Sequence, residues 1–185
     1  MTTIYSTFNN NVISSIESGD LKSLRLNTYA MLLTENYIPD VNHTFEDLER
    51  FEFESSNYRP GGQPIAFIPE FLHNGLEVCI QGNDVEWRFL NGSVKYILIY
   101  QTEGLKKIPA ICQALTENSS IYLSNNNLYV HWFNFYFRVT EKVPAPTPPS
   151  FEEISSGVLG KGVLGRMILN KSLATTNSNL SIRID

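Results

Sequence analysis

Cysteine is scarce in this chain: two in 185 residues, Cys79 and Cys112, too few for a disulfide framework. Both sit in apolar segments without CxxC spacing, so they read as buried free thiols. The three histidines, His43, His73 and His131, lie in unrelated contexts, and no His-Glu-x-x-His is present. Long hydrophobic runs are missing too; no window approaches the ~18 residues of a membrane-spanning helix. The opening MTTIYSTFNN has neither a basic region nor an apolar core, so no signal peptide is expected. Positive charge is short: Lys and Arg total 14 against 19 Asp and Glu, a net charge of −5. That balance argues against nucleic acid as a partner, because phosphate contacts need clustered cations.

Motifs that carry chemistry are absent as well. There is no Gly-x-Ser-x-Gly, no dinucleotide fingerprint and no Cys–His constellation. Gly61-Gly62 and Gly160-Lys161 lack the spacing of a P-loop, and no Ser or Thr follows Lys161. The acidic run Glu46, Asp47, Glu49, Glu52 and Glu54 lacks the Asp-x-Asp-x-Asp-Gly pattern of a calcium loop and reads as a solvated face. Asp84 and Glu86 read as strand neighbours on a polar face, and His131 has no partner at ligand spacing. The chain is therefore expected to be a non-enzyme, with no catalytic residues, no cofactor and no metal.

What is present is strand and turn material. Asn, Ser, Thr and aromatics fill the place of charge, which is only 18% against a norm of about 25%. Ile4, Phe8, Val12, Ile13 and Ile16 recur at three- and four-residue spacing, a short helix ended by Ser18-Gly19-Asp20. From Leu24 to Leu33 the period becomes two, with Leu24, Leu26, Thr28, Ala30 and Leu32 opposite Arg25, Asn27, Tyr29, Met31 and Leu33; its apolar end implies cover on both sides. Thr44 with Asp47 resembles a capping box. Ile65 to Phe71 contains Pro69, which confines it to an edge or a bulge. Asn74-Gly75 and Asn91-Gly92 are the strongest turn signals. The second of these makes Val85–Phe89 and Val94–Tyr100 a strand pair around which the chain is organised. Strands follow at Ile108–Leu115, Ile121–Leu123 and Leu128–Val139. On the last, His131, Phe133, Phe135, Phe137 and Val139 share one face, and Val130, Trp132, Asn134, Tyr136 and Arg138 the other. Turns at this frequency predict a mainly β fold, an antiparallel β-sandwich of jelly-roll-like character with a short N-terminal helix.

The chain then divides. Residues 1–142 form the sandwich domain. Residues 143–150, Val-Pro-Ala-Pro-Thr-Pro-Pro-Ser, form a stiff extended linker. Residues 151–185 read as an extended C-terminal interaction arm. The arm repeats Gly-Val-Leu-Gly-Lys/Arg at Gly157 and Gly162 and is too rich in glycine to build a core of its own. Yet Val158, Leu159, Val163, Leu164, Met167, Ile168 and Leu169 are too apolar for an idle linker. Leu180, Ile182 and Ile184 alternate as a strand does. These residues are expected to bind a partner, the last strand being added to a partner's sheet edge; the alternative is that the arm folds back on its own domain. The aromatics Trp132 and Tyr136, with Trp87, either cover a sheet or subunit contact or form a surface that stacks carbohydrate.

Several segments in order resemble a family of small tailed-bacteriophage virion proteins. They are Gly19-Asp20-Leu21, Leu26–Leu33, Tyr37-Ile38-Pro39-Asp40, Phe45-Glu46-Asp47-Leu48, Tyr58 to Gly62, Asn83-Asp84-Val85-Glu86-Trp87 and Tyr96-Ile97-Leu98-Ile99-Tyr100. The resemblance spans roughly residues 4–139. The family's Gly- and Asp-rich segment after Tyr100 is missing, and the Pro-linked arm is added. The resemblance implies a virion structural protein without enzymatic residues, located in the particle. Other virion proteins and copies of itself are the implied partners, in capsid decoration or cement or the head–tail region. The alternative is a tail fibre, baseplate or adhesin component that binds host-surface carbohydrate.

Overall fold

The computed structural model describes residues 1–72, 77–132, 134–141, 171–176 and 181–184. Twelve strands and two helices are placed among them: β1 Thr2–Ile4, α1 Ser6–Ser18, β2 Asn27–Leu33, α2 Phe45–Glu49, β3 Gln63–Ile65, β4 Phe67–Leu72, β5 Glu77–Gly82, β6 Val85–Val94, β7 Tyr96–Glu103, β8 Lys106–Ala114, β9 Ile121–His131, β10 Phe135–Glu141, β11 Lys171–Thr176 and β12 Ser181–Ile184. All pairings are antiparallel. The sheets run β1-β8-β7-β2-β3, β11-β10-β5-β4 and β12-β9-β6.

The architecture is an antiparallel β-sandwich. One core draws Ala30, Leu32, Ile97, Ile99 and Ile111 from the five-stranded sheet, Phe67, Val78, Ile80, Phe135 and Phe137 from the four-stranded sheet, and Trp87, Leu90, Leu123, Leu128 and Val130 from the three-stranded sheet. α1 packs on β8, β10 and β5. Its Phe8 lies edge-on to Phe67 and Phe137, with ring centroids 6.0 and 5.9 Å away. A second core covers the outer face of the five-stranded sheet. There Met31, Leu33, Tyr96, Leu98, Tyr100 and Cys112 meet Tyr5, Tyr37, Phe45 and Leu48. β2 and β7 are thus buried on both faces, which explains the unbroken apolar run from Tyr96 to Tyr100. β2 splits as its period implies: Ala30 and Leu32 enter the first core, Met31 and Leu33 the second.

Local signals hold where backbone chemistry dominates. Gly19 closes α1 in the left-handed region, with φ 68°. The Asp47 carboxylate accepts from the Thr44 N–H and hydroxyl, each at 2.9 Å, at the start of α2. β4, with Pro69, is an edge strand. Cys79 and Cys112 are buried and free.

Four expectations need correction. Asn91-Gly92 is not a turn: β6 runs through it to Val94, and Gly92 pairs with Leu123. A Cβ on Gly92 would stand 3.0 Å from the Phe53 ring, so glycine serves close packing here. β6 and β7 are accordingly no hairpin; they enter different sheets across the single residue Lys95. The strand expected to start at Leu24 starts at Asn27, after a 3-10 turn over Lys22–Leu24. Leu128–Val139 is two strands. β9 begins at Ile121, absorbing Asn125 at φ 59°, and stops at His131; β10 begins at Phe135. The inward parity changes across the break, from Leu128 and Val130 to Phe135 and Phe137. The Asn74-Gly75 turn and His73, the 143–150 linker, Val158, Leu159, Val163, Leu164, Met167, Ile168, Leu169 and Leu180 lie outside the described residues.

Candidate functional site

The sandwich has sheet edges to dispose of, since an unpaired edge offers its N–H and C=O groups to any passing strand. β6 is the outer strand of the three-stranded sheet, and side chains from the 55–63 segment occupy its edge. The Asn91 N–H donates to Ser55 Oγ (3.1 Å), Asn57 Nδ2 donates to the Phe89 carbonyl (3.1 Å) and Gln63 Nε2 donates to the Glu86 carbonyl (2.7 Å). β9 and β10 are covered differently, by the two strands the chain makes last. β11 pairs with β10 from Tyr136↔Thr176 to Glu141↔Lys171. β12 pairs with β9 from Ser181↔His131 to Ile184↔Leu128. The last strand thus forms where alternation predicts it. Here its ladder partner is this chain's own β9, as in the alternative in which the arm folds back on its own domain. The reason is local: β9 and β10 each present a free ladder within reach of the tail. Ile182 lies opposite Val130 in the register, and Ile184 is exposed. The Arg183 guanidinium lies over the Tyr129 ring at 4.7 Å.

β9 ends at His131 and β10 begins in another sheet at Phe135. Asp84 organises this corner: it accepts from the Trp132 N–H at 2.7 Å, and its other oxygen meets His131 Nδ1 at 2.9 Å. These bonds, the Trp132 N–H first, hold the Asp84 carboxyl below the usual aspartate range. His131 therefore does have a carboxylate partner, which sequence spacing could not reveal. Trp132 is half-buried and turned inward, edge-on to Phe67 and Phe135. Gly82 makes room for it; a Cβ there would overlap the indole. Trp87 is 2% exposed. Of the two readings of this row, Trp132 and Trp87 take the sheet-covering one, the break after His131 turning Trp132 toward the core, and Tyr136 on β10 is half-exposed. Among the described residues, the large aromatics that face outward are Phe89 and Tyr122.

Two clefts lie elsewhere among the described residues. One of about 420 Å³ is lined by Glu35, Arg50, Glu52, Glu54 and Ser93 among others. The Glu52 carboxylate accepts from the Gly61 N–H at 2.6 Å. Burial pushes its pKa up, against the pull of that bond. The second, about 200 Å³, lies between Asn42–Glu46 and Lys106–Pro109. Among the described residues no three His, Cys, Asp or Glu side chains converge as metal ligands would, and no described helix is long and apolar enough to cross a membrane. Comparison with known proteins gave no matching family model, curated protein or solved structure.

Proposed function

We propose that this chain is a structural protein of a bacteriophage particle, joined to its neighbours through the segment that follows β10. The supporting observation is where that segment begins and ends. Glu141, the last residue of β10, stands directly opposite Lys171, the first of β11, in the ladder. Adjacent antiparallel strands can be joined by two residues. Here the connection is residues 142–170, and it carries Val158, Leu159, Val163, Leu164, Met167, Ile168 and Leu169. An apolar insertion of that length is explained by a surface that receives it, such as an adjoining virion protein. The ordered segments that resemble those of small phage virion proteins favour the same reading, and avidity across repeated copies would strengthen each weak contact. Carbohydrate binding would need another surface, since Trp87 and Trp132 are committed to packing.

The test replaces Val158, Leu159, Val163, Leu164 and Met167 with Ser in the full chain, leaving β11 and β12 intact. The variant should keep its thermal transition and lose co-sedimentation with assembled particles, by tenfold or more. Undiminished co-sedimentation would overturn the reading.

A further inference from the structure

The last two strands have an unusual relation to the fold they complete. β11 and β12 are sequence neighbours, yet they finish different sheets, at the edges of β10 and β9. Both ladders depend on main-chain pairing that any copy of this chain offers equally. The segment before them begins with Pro144, Pro146, Pro148 and Pro149. Residues 142–170, extended, can reach up to about 90 Å at ~3.3 Å per residue, whereas a domain of this size is roughly 40 Å across.

We propose that β11 and β12 are exchanged between copies: the pair from one chain completes the β10 and β9 edges of a second copy of the same chain. Every ladder bond of Tyr136–Glu141 with Lys171–Thr176, and of Leu128–His131 with Ser181–Ile184, is the same in the exchanged form. The exchange therefore costs no pairing, and the length of the connection and the protein concentration set its extent. The occupant is a second copy because the register is already written for this sequence. This deepens the particle-building reading by naming one neighbour, and rests on it only in taking the chain to assemble with its own kind.

The experiment uses Thr140 and Ser172, which face each other across β10 and β11. Antiparallel partners lie about 4.5–5.5 Å apart at Cα, inside the range a disulfide spans. Two full-length chains, one Thr140→Cys and the other Ser172→Cys, carry different affinity tags, are co-expressed and then oxidised. Exchange yields a disulfide-linked species bearing both tags, with roughly half of the pairs mixed if copies associate at random. Neither variant alone should yield it, since each lacks the facing thiol. The double variant Thr140→Cys/Ser172→Cys is the register control. If it closes within single chains while the co-expressed pair gives no mixed-tag species, the exchange is overturned. If it closes neither within nor between chains, the β10–β11 ladder is wrong and the proposal goes with it. Co-sedimentation is not read in this experiment, so its failure is separable from failure of the particle reading.

Discussion

On the inner face of the five-stranded sheet, Ala30, Leu32, Ile97, Ile99 and Ile111 meet Phe8, Val12 and Phe137, side chains without a polar atom. On the outer face, Tyr29, Tyr96 and Tyr100 stand beside Met31, Leu33 and Leu98, and what covers them is Tyr5 and the largely irregular stretch from Thr34 to Phe51. The difference follows from the covers. Strands and α1 satisfy their own backbone groups, so apolar contact is enough to hold them. An irregular cover brings backbone and side-chain polar groups that need named partners. Tyrosine supplies both area and a polar tip. Tyr5 and Tyr37 share a hydrogen bond at 2.8 Å, Tyr37 Oη meets His43 Nδ1 at 3.2 Å, and the Tyr100 hydroxyl donates to the Gly61 carbonyl at 2.8 Å. Burial is the first cause that pushes the Tyr5 and Tyr37 hydroxyls and the Cys112 thiol up, the last to about 12, so all three stay protonated and available as donors.

The contrast can be broken by substitution. Phe8→Ala removes a fully buried ring from the inner core and should cost about 3–5 kcal/mol in a denaturant titration. A loss under 1 kcal/mol would mean that α1 is not a core element. On the outer face, Tyr37→Phe should cost about 1–3 kcal/mol, because the Tyr5 hydroxyl is left buried without its partner. Adding Tyr5→Phe should then cost less than it does alone. Additive losses in that double-mutant cycle would show that the two hydroxyls do not act as a pair.

The smallest effect concerns pH, at the rim where the irregular cover meets the sheet. A Glu52 pKa raised on folding means the folded state holds its proton longer than the unfolded chain. That contribution is complete below the ordinary glutamate value near 4.5 and is lost as pH rises through the raised folded value. Glu52→Gln keeps an acceptor for the Gly61 N–H and should flatten this fall in stability between the two values. An unchanged slope in melts from pH 4 to pH 7 would place the cause in other groups.

The same contrast explains what could be read in advance. β2 was legible on both faces because Ala30 and Leu32 alternate with Met31 and Leu33, and Pro69 announced an edge because it lacks an N–H. Gly92 misled because the pair Asn-Gly serves tight turns and close packing alike, and only the Phe53 ring decides between them. The break after His131 carries no Gly or Pro. It is made by Asp84, far away in sequence, through the Trp132 N–H and the His131 ring. The coarse architecture was therefore written in local pattern, whereas the corner between β9 and β10 and the destination of the last strands depend on pairings that spacing along the chain does not encode.

β7 runs between β2 and β8, with a core against each face. Its amide protons can reach deuterated solvent only when the whole sandwich comes apart, so their exchange rates measure global unfolding. The amides of β11 and β12, outermost in their sheets, can be released by opening a single ladder. An exchange time course should thus rank the strands by how much of the molecule must come undone to free each one, with Ile97 to Ile99 at the slow extreme.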